Sequence, residues 1–451
     1  MIDKNNTSKF HLDGKPPLRE AIPLGMQHLL AMIVGNMVPA ILISNILGLS
    51  KEMSIMLLQG AMLAAGIATI IQLYPIPLIK GYKIGAGLPV MMGTSYVFLG
   101  ACLSVTGQYG IATLIGAQIV SAVVTIFLGI AVKKIRKIFT PVISGTIVAC
   151  MGIGLFPVAI NNLAGGQGSL DFGSSKNFIV GIIVAFIVVI IMHFGKGLVK
   201  DVSILIGIVV GYIISLSLGM VDFSAVGESA WFAFPKLLPF GVEFRLDVII
   251  MFTLIYAISI ADLMGSYTVV TMGGLNREVT DEELSSGVIG GAVGSIIASL
   301  LSSIPTGVFS QNSAIVAMNK VVSRFVIATA TVILFIAGIS PKIGALITTI
   351  PSAVIGGATL VVFSQIAMAG VMLITMEEFT DQNKLIAGVA IATSIGVTSF
   401  PQAIEKLPPL VVTLIGDSSI VLGALIALLL QLIFTVTSKK EDIGKQISEN
   451  S

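Results

Sequence analysis

The sequence predicts an all-α polytopic membrane protein of about fourteen transmembrane segments built as a seven-plus-seven inverted repeat. Three observations predict it: the composition, an unbroken series of apolar runs, and a matching pair of proline-marked breaks half a chain apart. Apolar types make up 55% of the 451 residues and charged types 11%, about half the charge of an ordinary soluble domain. Most of the surface must therefore face lipid. The net charge is +2 and the basic residues stand in short clusters without interleaved aromatics, which excludes nucleic acid as a partner. Cys102 and Cys150 lie inside apolar runs and form no CxxC or Cys/His spacing, so neither a disulfide framework nor a metal site is expected. The first twenty residues are polar and the apolar run that follows is too long for a leader, so no cleaved signal peptide is expected.

A membrane helix needs about 20 apolar residues. Runs bounded by charges, Pro or Gly place spans near 21–46, 53–74, 87–105, 110–132, 141–161, 177–194, 202–220, 246–272, 284–302, 306–320, 324–340, 351–374, 383–399 and 418–437. The positive-inside rule tests this count, because one missed span would invert every later loop. With the N-terminus inside, Lys51, Lys176, Lys236, Arg245, Lys342 and Lys406 fall outside and the remaining basic residues (25 − 6 = 19) fall inside. The asymmetry favours an even span number. Residues 1–20 then form a cytoplasmic N-terminal tail and 438–451 a cytoplasmic C-terminal tail of a multi-pass cell-membrane protein.

Spans three and ten carry the same punctuation. Pro89 is followed six and seven residues later by Ser95 and Tyr96, and Pro305 by Gln311 and Asn312, an offset of 305 − 89 = 216. Pro141 and Pro351 open later spans at 351 − 141 = 210. Two similar offsets divide the chain into repeats over 21–220 and 246–437. Seven spans per repeat is odd, so the second repeat crosses the membrane inverted. Inverted repeats with broken helices near the midplane are a common architecture of secondary transporters, and the breaks mark their binding sites.

Ionisable residues deep in lipid are functional candidates by default. His28 in span one and Asp262 in span eight qualify, whereas His193, Asp247 and Asp417 sit at span ends. Asp262, the one carboxylate well inside a span, is the expected carrier of a coupling proton. Gln311 and Asn312 offer amide donor and acceptor edges suited to a planar heterocycle, and Tyr96 can stack on an aromatic ring. The plainer alternatives are a packing role for His28 and Tyr96 and interhelical hydrogen bonding for Gln311 and Asn312. No phosphate-binding loop and no Ser/His/Asp order stands on a soluble segment, so a primary pump or a hydrolase has no visible engine and an enzyme is not expected.

At these residues the sequence resembles the nucleobase/ascorbate transporter family, the xanthine/uracil permeases, in its purine branch. Gln27-His28 is similar to the family's QH motif, Gly93-Thr94-Ser95-Tyr96 to its third-span element, Ser310-Gln311-Asn312 to the start of its tenth-span signature, and Pro351 to Gly357 to its twelfth-span opening. The resemblance runs from about residue 18 to 437. It implies a core domain and a gate domain that each draw spans from both repeats, short strands at the breaks of spans three and ten, and a homodimer. It also implies proton symport of xanthine or uric acid, with Na⁺ as the alternative ion and no cofactor.

In that reading Asp262, Gln311, Asn312, Ser95 and Tyr96 bind substrate, Asp262 couples the proton, and His28, Gln27 and Ser266 organise the site. The chain departs from the family at Asp262, where a glutamate is usual, and at Ser266 and Gly291, where aspartates are usual. It departs again at Ser313-Ala314, after Asn312. A uracil carrier, or an uncoupled or anion transporter on the same fold, is the alternative.

Overall fold

The computed structural model describes residues 9–78, 82–132, 140–378, 380–416 and 418–449, with side chains through 436. Lys4, Lys80, the basic cluster at 133–137 and Asp417 lie outside the described residues. Among the described residues nine helices are long and apolar enough to cross a membrane, or ten if Arg324–Gly338 and Pro341–Thr348, which meet at 82°, form one bent span. The other four expected spans fall short for local reasons. Span seven, Ser203–Ser217, has 15 residues, about 22 Å at a helical rise of 1.5 Å. Span thirteen, Asp381–Ser399, opens on Asp381, Gln382, Asn383 and Lys384, which lower its hydropathy. Spans three and ten are each part strand and part helix: β1 (Met92–Thr94) precedes Leu99–Tyr109, and β2 (Thr306–Val308) precedes Ser310–Asn319. The architecture is a fourteen-span membrane fold with strands at the two breaks.

Local chemistry fixes the helix ends. Span one, Leu18–Leu47, stops at Gly48 with φ 56°, whose N–H returns to Asn45 O, because a left-handed residue suits glycine and closes the terminal carbonyls. Span nine, Asp281–Leu300, starts on a capping box in which Thr280 Oγ1 accepts from Glu283 N–H and the Glu283 carboxylate accepts from Thr280 N–H. Span five begins with Pro141 at its first turn and Thr140 as cap. The N-terminal segment docks on the start of span eleven: Val322 and Arg324 N–H donate to Phe10 and Leu12 carbonyls at 3.2 and 3.1 Å.

The described residues fall into two compact units. The first takes the described residues of 1–136 and 157–362. In it Val180, Val184, Val188, Ile208, Val354 and Ala358 form one buried cluster across spans six, seven and twelve. Leu63, Ala64, Ala298 and Leu301 join spans two and nine in another. Fully buried Gln72 ties four segments together: its Oε1 accepts from Ala86 N–H and Tyr267 Oη–H, both at 2.9 Å, and its Nε2 donates to Gly287 O at 2.8 Å. Large apolar side chains such as Ile182 and Phe186 point outward, 56% and 64% exposed, as a lipid-facing surface requires.

The second unit takes the described residues of 137–156 and 363–451. Val142, Ile386, Ala390 and Ala427 form its buried cluster. Spans five and twelve touch there through small residues. A Cβ on Gly152 would stand 2.3 Å from Ala367 N, and one on Gly370 2.3 Å from Ala149 N. Such contacts let backbones approach where no hydrophobic effect drives helices together. Gly152→Val should therefore cost about 1–3 kcal/mol through overpacking and lower the melting temperature of the detergent-solubilised protein. An unchanged melting curve would show that these backbones are not in contact.

Candidate functional site

Chain polarity at the two breaks sets the first requirement. A backbone that leaves helical geometry at membrane depth frees N–H and C=O groups, each costing several kcal/mol unless protein or water satisfies it. β1 and β2 satisfy part of that need by pairing antiparallel, Met92 with Val308, Gly93 with Gly307 and Thr94 with Thr306. Buried helix side chains supply the rest. Thr69 Oγ1 accepts Met92 N–H at 2.9 Å and Asn36 Oδ1 accepts Thr94 N–H at 2.8 Å, while Asn36 Nδ2 donates to Ala61 O at 3.1 Å. In the second repeat Ser295 Oγ accepts Thr306 N–H at 3.1 Å.

Two further bonds flank the ladder, Ser95 N–H to Pro305 O and Phe309 N–H to Met91 O, both 2.9 Å. They are one bond seen twice under exchange of the repeats, since 305 − 91 and 309 − 95 both equal 214. Gly93 and Gly307 lie at the centre of this exchange. A Cβ on Gly93 would meet the Phe309 ring at 2.4 Å, and one on Gly307 would meet Ser95 at 2.9 Å. Ser95 is thus buried against the opposing strand.

The helix after β2 begins at Ser310, which puts Gln311 and Asn312 in its first turn. Asn312 is fully buried, and its Nδ2 donates to His28 O at 2.8 Å and lies 3.2 Å from His28 Nδ1. An amide nitrogen only donates, so in this orientation Nδ1 is the acceptor and the ring proton sits on Nε2. Gln27 serves the other end of the same helix: its Oε1 lies 3.4 Å from Asn319 Nδ2, and its Nε2 donates to Asp201 Oδ2 at 2.9 Å. The Gln27-His28 pair therefore holds Ser310–Asn319 at both ends.

Beside this strap lies a cavity of about 20 Å³, the scale of a single water. Gly35 of span one, Tyr96, Phe309, Gln311, Asp201 and Thr359 are among its lining residues. Tyr96 Oη–H donates to Gly35 O at 2.9 Å. Gln311 is exposed, and its side chain makes no bond to another described residue. Of the residues expected at the site, Tyr96 and Gln311 meet at this cavity. Ser95 and Asn312 are beside it in sequence, but Ser95 is buried against the opposing strand and the Asn312 amide nitrogen is held by His28, while Asn312 Oδ1 is buried without a partner among the described residues. Asp262 is half-buried on span eight, Leu246–Thr268, which packs against β2, Ser310–Asn319 and the 96–98 turn. Its carboxylate makes no hydrogen bond or ion pair among the described residues and it is not a lining residue of the cavity. Ser266, one turn further on, is buried.

Asp201 is the cavity-lining residue that sequence reasoning missed. It stands beside Lys200 at the entrance to span seven and reads as an ordinary loop charge. A second cavity of about 320 Å³ lies at the far end of span one, where Asn45, Pro157, Asn161, Asn162 and Gln167 contribute. Among the described residues no three His, Cys, Asp or Glu side chains gather as a metal would require.

A family model described as "Permease family" matches residues 19–403. The xanthine permease of Bacillus subtilis is 32% identical over 430 residues, which cover 95% of this chain and 96% of that protein. The uric acid permease PucK of the same organism is 32% identical over 413 residues, 91% of this chain and 94% of its own. Among solved structures, the murine Solute Carrier 26 family member A9 anion transporter in its inward-facing state covers 94% of this chain and 69% of its own. Its TM-score is 0.63 at 12% identity, a likeness of fold alone.

The His28 contacts lead to a prediction. His28→Phe removes the Nδ1 acceptor but leaves the carbonyl that also receives Asn312, so about 1 kcal/mol of stability should be lost. Less folded protein at unchanged substrate ranking is the expected result in a paired melting and uptake measurement. A reordered substrate ranking would place the imidazole at the ligand instead.

Proposed function

The chain belongs to the xanthine/uracil Permease family, whose members are carriers and not enzymes, and from that membership we propose that it imports an oxopurine, xanthine or uric acid, by proton symport with alternating access. The observation that carries the substrate class is Gln311. It stands in the first turn of a broken helix, faces the cavity, and keeps its amide edge uncommitted while its neighbour Asn312 is anchored. An amide edge pairs with the alternating C=O and N–H groups of an oxopurine, and Tyr96 supplies an aromatic face beside it.

Asp262 carries the coupling proton in this proposal, with Na⁺ the alternative ion. Ser95, Asn312, His28, Gln27 and Ser266 fix the geometry. The water-sized cavity must widen to admit a purine, which fits a cycle in which a core domain moves against a gate domain. The protein works as a homodimer in the cell membrane with both termini in the cytoplasm.

An uncoupled or anion carrier is the second reading, favoured by the fold shared with an anion transporter and by Ser266 and Gly291 standing where the family resemblance leads one to expect acids. A uracil carrier is the third. Uptake of labelled xanthine, urate, hypoxanthine, guanine and uracil, with and without an uncoupler, separates them. Accumulation of xanthine that collapses with the proton gradient supports the proposal, and uncoupler-insensitive uptake or a uracil preference overturns it.

Two variants test the assigned residues. Gln311→Glu exchanges a donor for an acceptor, and a site whose polar groups are left unpaired discriminates strongly. A shift of about tenfold or more in the xanthine-to-uracil preference is expected, and an unchanged profile would remove Gln311 from the ligand. Asp262→Asn keeps the side chain's size but cannot hold a titrating proton. Gradient-driven accumulation should vanish while exchange of labelled for unlabelled substrate survives. If the Asn variant still concentrates substrate and still responds to an uncoupler, the coupling proton travels elsewhere.

A further inference from the structure

Among the described residues Asp201 is the only formally charged side chain that lines the small cavity. Its Oδ2 accepts one hydrogen bond, from the neutral Gln27 amide at 2.9 Å, and among the described residues it forms no ion pair. A carboxylate only accepts and has about four lone-pair sites, so Gln27 leaves most of that capacity open. The carboxylate ends a four-residue helix, Leu198–Asp201. Tyr96, Phe309 and Gln311 are instead fixed by the strand pairing and by Ser310–Asn319. When the cavity widens, the short segment with Asp201 is the wall that one side-chain bond restrains.

We propose that Asp201 is a specificity-determining residue of the substrate site: its carboxylate exchanges the Gln27 amide for a ring N–H of the bound oxopurine, opposite the edge read by Gln311. This rests on the oxopurine reading given above. The exchange leaves the carboxylate's own hydrogen-bond count unchanged, and it releases the Gln27 Nε2 donor. It also has a charge consequence. Uric acid is a monoanion near neutral pH whereas xanthine is chiefly neutral, and a half-buried carboxylate with no cation paired to it among the described residues repels the anion. Asp201 therefore selects neutral oxopurines over urate, and it opposes anion carriage on this scaffold.

The experiment is competitive uptake of labelled xanthine and urate by cells expressing the full chain, normalised to membrane-embedded protein. The wild type should prefer xanthine. Asp201→Asn should raise the KM for xanthine about tenfold, the loss expected for one hydrogen bond to a charged group, and move the xanthine-to-urate ratio toward urate. Asp201→Glu should keep the wild-type order. An Asn variant with the wild-type ratio would overturn the assignment while leaving the transport reading intact. Should that variant fail to reach the membrane, Asp201→Ser decides: it removes the charge with a smaller side chain and should move the ratio toward urate in the same way, and a wild-type ratio overturns the proposal. A wild-type protein that takes up no nucleobase overturns both readings together.

Discussion

The antiparallel contact between Met92–Thr94 and Thr306–Val308 is the constraint on which the rest of the structure depends. Two chains that leave helical geometry inside a bilayer expose backbone groups that lipid cannot satisfy. Each repeat closes part of the deficit with the other repeat's backbone and the remainder with a hydroxyl or amide from a neighbouring helix. Thr69 and Asn36 serve the first strand and Ser295 serves the second. These side chains are fully buried, so removing any of them orphans a donor at a cost of about 1–3 kcal/mol. Close approach explains the glycines: Gly93 admits the Phe309 ring and Gly307 admits Ser95. The half-helices can start where they do because the strands before them are held.

From that contact the geometry of the site follows by short steps. The second strand ends one residue before Phe309, and the helix beginning at Ser310 then turns Gln311 toward the cavity and Asn312 toward span one. His28 takes Asn312, and Gln27 reaches both Asn319 and Asp201. Two adjacent residues of one helix thus position a second helix at both ends and restrain a third segment across the cavity. A site of this kind is preorganised on one side, where helices and strands meet, and adjustable on the other.

Much of this was legible in the sequence, and the unread part has a common physical cause. Pro89 and Pro305 announced the breaks because proline removes a donor that a membrane helix needs, and their matching offset announced the inversion. Gln311 stood out as a candidate because an amide in an apolar run has few uses. Asn312 looked equivalent to it, but one residue along a helix is a rotation of about 100°, enough to turn one amide to the cavity and its neighbour to His28. The partners Thr69, Asn36 and Ser295 were not legible, because hydroxyls and amides are ordinary on buried helices and only the fold brings them to the strands. Asp201 escaped because a carboxylate next to Lys200 at a span entrance is the ordinary composition of a loop.

The two repeats share a backbone plan but not a chemistry, and that difference is what makes a site. The offset of 214 that relates Ser95 to Phe309 also relates Tyr96 to Ser310 and Val97 to Gln311. At each pair one repeat is bulky or polar where the other is small or apolar. The Phe309 ring covers Gly93 and approaches Gly35, whereas Ser95 fills only the space above Gly307. Val97 is buried and apolar, whereas its counterpart Gln311 carries the free amide edge. A symmetric pair of breaks would offer two identical half-sites facing opposite ways. In the proposed reading span three contributes the aromatic face through Tyr96 and span ten the hydrogen-bonding edge through Gln311, so a flat polar ring would meet both in only one orientation. The inverted repeat supplies the break, and its sequence asymmetry supplies the direction from which a ligand is read.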